Sequence, residues 1–194
     1  MVPAQGARPY PSIASYIQRG SSPLDIQNVA GLVNQTALTT VAPSVNNLSA
    51  WLFIVGDGVT LSSMSVEVTT FGASEVGRVG IYTNTNDNID YPANLVVESG
   101  ELDLGSNGLK TVSGLATNLP PGLYWMTFIC GVLAGTLRGI TAGGHAPILG
   151  LDNSLTVIGK LFGSRTYGAL PSTFPAGFST ANIGNPAVGM VFST

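Results

Sequence analysis

Charged side chains are scarce: Asp, Glu, Lys and Arg make up 9% of the 194 residues, where an average soluble domain carries about 25%. The seven Lys and Arg stand singly and the net charge is -3. That excludes the basic stripe that nucleic acid or an anionic membrane surface requires, so neither is expected as a partner. There is one cysteine, Cys130, and one histidine, His145. A lone thiol makes no internal disulfide and has no cluster to share a metal with, so Cys130 reads as a small buried hydrophobe. No run reaches the roughly 20 apolar residues of a membrane-spanning helix. The longest candidate, around Trp125, stops at Pro121 on one side and at Gly135 and Arg138 on the other. The opening M-V-P-A-Q-G-A-R-P-Y-P lacks an apolar core behind a basic region, so no secretory signal is expected, and synthesis in a cytoplasm is.

A surface this poor in charge must be built from Ser, Thr, Asn, Gly and apolar groups. Such a surface hydrates poorly and predicts permanent neighbours. What the chain has instead of charge is strands. The segment Gly122 to Val132 carries Leu123, Trp125 and Ile129 on one face and Tyr124, Met126, Phe128 and Cys130 on the other. A strand apolar on both faces must be covered on both, inside a two-layer structure or at a subunit contact. Ser49 to Val55 has the same character. Its Trp51 and Phe53, with Tyr124, Met126 and Phe128, are the expected subunit-interface residues, because one core leaves one of the four faces spare.

Elsewhere the period is two. Met64, Val66 and Val68 alternate with Ser65, Glu67 and Thr69; Val79 and Ile81 point inward; Leu102 and Leu104 alternate with Glu101 and Asp103. With runs at Leu38 to Ala42, Asn94 to Leu104 and Gly108 to Ala116, this predicts seven or eight strands by Val132 and leaves no room for crossover helices. The class is therefore all-β, an antiparallel β-sandwich. Thr136 to Thr141 and Ala187 to Phe192 are expected strands as well. Ser154 to Phe162 reads as a helical turn or a short hairpin. Ala169 to Asn185, interrupted by Pro171 and Pro175, reads as a long surface excursion.

Residues 1-35 differ in kind. Pro3, Pro9, Pro11 and Pro23 among Gly and Ser favour extended chain, yet Tyr10, Ile13, Tyr16 and Ile17 are too apolar for a freely solvated tail. We read 1-35 as an N-terminal docking arm that orders against another subunit through those four residues, and 36-194 as the β-sandwich domain.

Chemistry has few places to reside. His145, in G-G-H-A-P, is the only candidate base near neutral pH and reads as a loop residue. Paired carboxylates for glycoside cleavage could be drawn from Glu98, Glu101 and Asp103, but the last two simply alternate with leucines. The polar loop Asn84 to Asp90 lacks the glycine and terminal Glu of a calcium loop and reads as a hairpin tip. No cofactor, metal or catalytic residue is expected, and the chain is not read as an enzyme.

The succession G-R-V-G-I-Y (Gly77 to Tyr82), N-L-V-V-E-S-G-E-L-D-L (Asn94 to Leu104), G-L-K (Gly108 to Lys110), L-P-P-G-L-Y-W-M (Leu119 to Met126), Y-G-A-L-P-S-T-F (Tyr167 to Phe174) and the closing P-A-V-G-M-V resembles the jelly-roll modules of tailed-bacteriophage virions. Those modules occur in capsid decoration or cement proteins, head fibres and tail-fibre tips. The resemblance spans roughly residues 36 to 194 and implies a jelly roll, usually a homotrimer, on the surface of a virus particle, and it carries over no catalytic residue. Three functions follow as expectations. The first is a decoration protein whose arm clips onto the major capsid protein or another virion protein. The second is a fibre tip that binds host surface saccharide, and the third a free carbohydrate-binding module. The absence of a coiled-coil or repeat shaft places decoration first.

Overall fold

The strand expected at Gly122 to Val132 forms in full and lies in the interior of its sheet, with a strand hydrogen-bonded along each edge. The structure is a computed structural model and describes residues 38-55, 58-85, 91-132, 135-140, 160-181 and 184-193. The expected arm, with Tyr10, Ile13, Tyr16 and Ile17, lies outside the described residues, as do His145 and most of the 84-90 loop.

Thirteen strands and no helix occur among the described residues. The first nine are β1 (Thr39–Val41), β2 (Asn47–Val55), β3 (Val59–Thr70), β4 (Val76–Asn84), β5 (Pro92–Glu98), β6 (Leu102–Asp103), β7 (Gly108–Leu119), β8 (Gly122–Val132) and β9 (Thr136–Ile140). The last four are β10 (Lys160–Ser164), β11 (Ser179–Ala181), β12 (Asn185–Pro186) and β13 (Val188–Ser193). All pairs are antiparallel, and they form two sheets.

The pairing is nested. β1 pairs β9, β2 pairs β8, β3 pairs β7, and β4 pairs β5 and β6, so the chain doubles back on itself as one long ribbon. Alternate rungs of the ribbon belong to alternate sheets. β1, β9, β3 and β7 lie in the first; β2, β8, β4 and β5 lie in the second. The late strands extend this frame. β10 adds to the outer edge of β2 and carries β11, while β13 runs along β3 from Val66 to Thr60.

Alternation decides which side chains meet. Trp51 and Phe53 of β2, Val79 and Ile81 of β4 and Tyr124, Met126 and Phe128 of β8 face Leu61, Met64, Val66 and Val68 of β3 across one core, with Met190 of β13. The five residues expected at a subunit interface are therefore core residues. Trp51, Phe53, Tyr124, Met126 and Phe128 are each at most 8% exposed within a single chain. They pack on the opposite sheet of their own molecule, which is why they are not available to a partner.

The opposite faces of the same strands are not spare either. Leu48, Ala50 and Leu52 of β2, Tyr82 of β4 and Trp125 and Ile129 of β8 form a second apolar cluster with Leu161, Leu170 and Phe174. Residues 165-178, which take in the first part of the surface excursion expected over Ala169 to Asn185, are thus a strap laid over the outer face of the second sheet. Its residues Leu170 and Phe174 are buried. The first sheet has a polar outer face, where Glu67 of β3 pairs with Arg138 of β9 at 3.1 Å. Its edge strand β7 is interrupted where Gly114 and Ala116 take positive φ, and the register with β3 jumps there. Such a bulge blunts an edge against indiscriminate strand addition.

Candidate functional site

The strap is held along its length by groups that leave few of its polar atoms to chance. At one end Asn46, itself at a φ of 52°, accepts the Arg165 N–H on its backbone oxygen at 2.9 Å and the Tyr167 N–H on Oδ1 at 2.8 Å. Asn tolerates the left-handed region better than most residues, so the turn into β2 and the anchor for the strap are one device. Midway, the Leu170 N–H donates to Glu98 Oε2 at 3.0 Å, and Arg78 donates to the same oxygen at 3.5 Å. At the far end the hydroxyls of Tyr82 and Tyr91 donate to the carbonyls of Pro171 and Pro175 at 2.7 and 2.8 Å. Proline has no N–H to satisfy, so these two hydrogen bonds complete its backbone. The Phe174 ring meets those of Tyr82, Tyr91 and Phe178 edge to face, with centroids 5.2, 5.8 and 4.9 Å apart.

Close approach is made possible by glycine. A Cβ on Gly80 would strike Leu170, one on Gly131 would lie 2.7 Å from the Tyr167 ring, and one on Gly163 would lie 2.6 Å from the Phe178 ring. Three glycines in three strands are sockets for three side chains of the strap. We expect Gly131→Val to lift Tyr167, to cost about 1–3 kcal/mol of stability, and to open the strap to limited proteolysis between Arg165 and Phe178 while the core between the sheets stays intact. Unchanged cleavage kinetics would show that the strap does not rest on this socket.

Of the three carboxylates considered for catalysis, Glu98 and Glu101 are engaged in this clamp. Glu98 serves Arg78 and the strap, Glu101 accepts from the Tyr167 hydroxyl at 3.1 Å, and Asp103 caps the Gly105 N–H at 2.8 Å. Arg78 lies 5.8 Å from the Tyr167 ring centroid. Burial, and then the hydrogen bond and charge of Glu101, push the Tyr167 hydroxyl up to about 12. Burial likewise pushes Tyr82 well above the ordinary tyrosine range. Both hydroxyls hold their protons, Tyr82 donating to the Pro171 carbonyl and Tyr167 to the Glu101 carboxylate, which suits them to fastening rather than to proton transfer.

The second distinctive region is one end of the two-sheet body. There the connections between β1 and β2, β3 and β4, β6 and β7, and β8 and β9 converge. The Asn46 N–H donates to the Cys130 carbonyl and the Leu104 N–H to the Glu75 carbonyl, both at 2.8 Å. Gly135 abuts the Thr70 carbonyl, and its N–H donates to the buried Glu75 carboxylate at 2.6 Å. Four large apolar side chains at this end are exposed: Val45 by 45%, Phe71 by 52%, Leu109 by 56% and Val132 by 49%. Extending the β2–β8 register brings Val45 opposite Val132, while Phe71 and Leu109 lie on the side of the first sheet. The fifth exposed apolar residue among those described, Leu38, sits before β1.

Neither region follows from the five residues expected at an interface, and the sequence carried weak signals only for the strap. Isolated glycines within apolar strands mark close approach, which is what Gly80 and Gly131 do. Tyr167, Leu170, Phe174 and Phe178 recur among the prolines too regularly for a solvated loop. No protein-family model, curated protein or solved structure matches this chain.

Proposed function

We propose that this chain is a non-enzymatic structural protein of a tailed-bacteriophage particle, a trimeric capsid decoration or cement protein attached through residues 1-35. We read its body as a jelly-roll sandwich. The nested pairing supports that reading: four rungs folded into two four-stranded layers, β1-β9-β3-β7 over β2-β8-β4-β5, is how a folded ribbon makes two Greek keys. Fold alone does not give function.

The observation that carries the functional reading is where apolar surface is left. The second sheet is sealed on both faces by its own chain, whereas Val45, Phe71, Leu109 and Val132 stand uncovered at one end. A body with little charge and one apolar end suits permanent packing against neighbours. The aromatic rings of the strap support assembly over saccharide binding, because Tyr82, Phe174 and Phe178 pack edge to face on one another rather than offering a face for a sugar.

The test is on particles. Replacing Tyr10, Ile13, Tyr16 and Ile17 together by Ser in the full chain is expected to abolish recovery of the protein with purified virions. The far-ultraviolet circular dichroism and thermal midpoint of the soluble protein should stay within a few degrees of the parent. Undiminished copy number on the particle would refute attachment by the arm.

A further inference from the structure

We infer that Asn107 is a site of spontaneous covalent modification, where the backbone nitrogen of Gly108 closes on the Asn107 side chain and water opens the ring to aspartyl and isoaspartyl products. The inference does not rest on the assembly reading above.

Sequence and placement together single out this asparagine. Asn107-Gly108 is the one Asn-Gly step in the chain, and glycine, with no Cβ, leaves the attacking nitrogen unshielded. Both residues are exposed, in the connection that leads from β6 into β7. Gly108 takes a φ of 106° there, and nothing lies within 4 Å of where its Cβ would stand, so a ring has room to form. The Asn107 side chain makes no hydrogen bond among the described residues. Gly108 is the first residue of β7, opposite Val68, and the ends of a ladder open most readily.

The other described asparagines each lack one of these conditions. The side chains of Asn46 and Asn84 are engaged, accepting the Tyr167 N–H and the Trp125 indole N–H. Asn94 is exposed, but the N–H of Leu95 after it is donated to the Ser172 carbonyl at 2.8 Å. Asn47 and Asn118 precede the fully buried Leu48 and Leu119 inside β2 and β7. Asn185 is buried and precedes Pro186, which has no N–H to lose.

The reaction needs only hydroxide and water. The Gly108 N–H gives up its proton to hydroxide, and the nitrogen attacks Cγ of Asn107. The N–Cγ bond forms, the Cγ–Nδ2 bond breaks, and the amide leaves as ammonia with a proton taken from water. Water then adds to one of the two ring carbonyls. Breaking the bond between the nitrogen and Cγ restores the normal chain with an aspartyl side chain. Breaking the bond between the nitrogen and the main-chain carbonyl carbon routes the chain through Cγ and lengthens it by a methylene. Either product adds a negative charge between Ser106 and Lys110, whose hydroxyl and ammonium meet at 2.5 Å.

Peptide mapping of the folded full-length protein, aged in buffer at physiological temperature, tests this. Trypsin together with a glutamate-specific protease releases residues 102-110, in which Asn107 is the only amide side chain. This peptide is expected to give way to two chromatographically separate products, each heavier by the difference between an amide and an acid. One of them should accept a methyl group from isoaspartyl methyltransferase. Conversion is expected to quicken as pH rises and to run about tenfold or more faster than at any other described asparagine. Gly108→Ala restores the shielding Cβ, and Asn107→Gln enlarges the ring that must close; each should slow conversion about tenfold or more. A synthetic 102-110 peptide supplies the unfolded rate, and the folded protein is expected to lie within about tenfold of it. Conversion of the peptide with none in the protein would show that pairing with Val68 protects the Gly108 nitrogen and would overturn the inference. An aspartyl product with no isoaspartyl one, the mark of direct hydrolysis, would overturn it as well.

Discussion

Trp125→Ala and Phe128→Ala are each expected to lower the unfolding free energy by about 3–5 kcal/mol, measured by urea denaturation at fixed protein concentration. The two residues leave β8 in opposite directions. Trp125 is fully buried in the cluster beneath the strap and donates its indole N–H to Asn84 Oδ1 at 2.8 Å. Phe128 is 1% exposed between the sheets. Large and similar losses from both sides of one strand are the signature of a strand buried within its own chain. A residue that mattered mainly at a subunit contact behaves differently: its truncation weakens association, and the midpoint becomes more dependent on protein concentration while the isolated subunit keeps its stability. If Phe128→Ala dissociates an oligomer without destabilising the subunit, the placement of Phe128 in the core is wrong.

That comparison explains what the sequence could and could not disclose. Alternation along β3, β4 and β8 identified inward residues because the side-chain period of a strand is a local property. Met64, Val66, Val68, Val79 and Ile81 are buried as that pattern requires. What lies on top of a doubly apolar strand is not local. Counting one core left a face of β2 and β8 without a cover, and a partner subunit was the natural candidate. The cover comes instead from residues more than 30 positions downstream of β8, in a stretch whose prolines suggested exposed loop. Pro171 and Pro175 do break regular pairing, but their carbonyls are taken by tyrosine hydroxyls and their neighbours Leu170 and Phe174 are buried. Proline excluded a strand interior and said nothing about burial.

The apolar end was illegible for a different reason. Val45, Phe71, Leu109 and Val132 are far apart in sequence and belong to four different connections or strand ends. Each alone is an ordinary exposed hydrophobe that needs no explanation. Only the nested pairing brings their four connections to one end. Charge scarcity led to the expectation that apolar groups form part of the surface, without saying where they lie.

Stability is expected to rise by about 1 kcal/mol from pH 7 to pH 9 and to fall again above pH 10. The rise comes from Lys160, 8% exposed on β10. Its ammonium reaches only neutral oxygens among the described residues, Ser49 Oγ and the Gly184 carbonyl, both at 3.4 Å. Burial pulls it down from 10.5 to about 8. Between those values the unfolded chain holds a proton that the folded chain has released, so the unfolded state binds more protons and unfolding becomes harder as pH increases. Two groups of the opposite sense limit the window. Burial, with the charge of Glu75 behind it, pushes the Cys130 thiol from 9.0 up to about 12, so above pH 9 the unfolded state sheds a proton that the folded state keeps. The buried Tyr82 and Tyr124 and the half-buried Tyr167 add to this decline above pH 10. Lys160→Met removes the charge and keeps the unbranched stem. It should abolish the rise below pH 9 while leaving the fall above pH 10, and should raise stability at pH 7 by about 1–2 kcal/mol, since the relief of a buried charge exceeds the loss of two long hydrogen bonds. Cys130→Ala should move the onset of the decline to higher pH. Denaturation curves of the three proteins from pH 6.5 to 10.5 separate these effects, and a Lys160→Met protein that keeps the parent's rise would show that its charge is matched by a group other than these two oxygens.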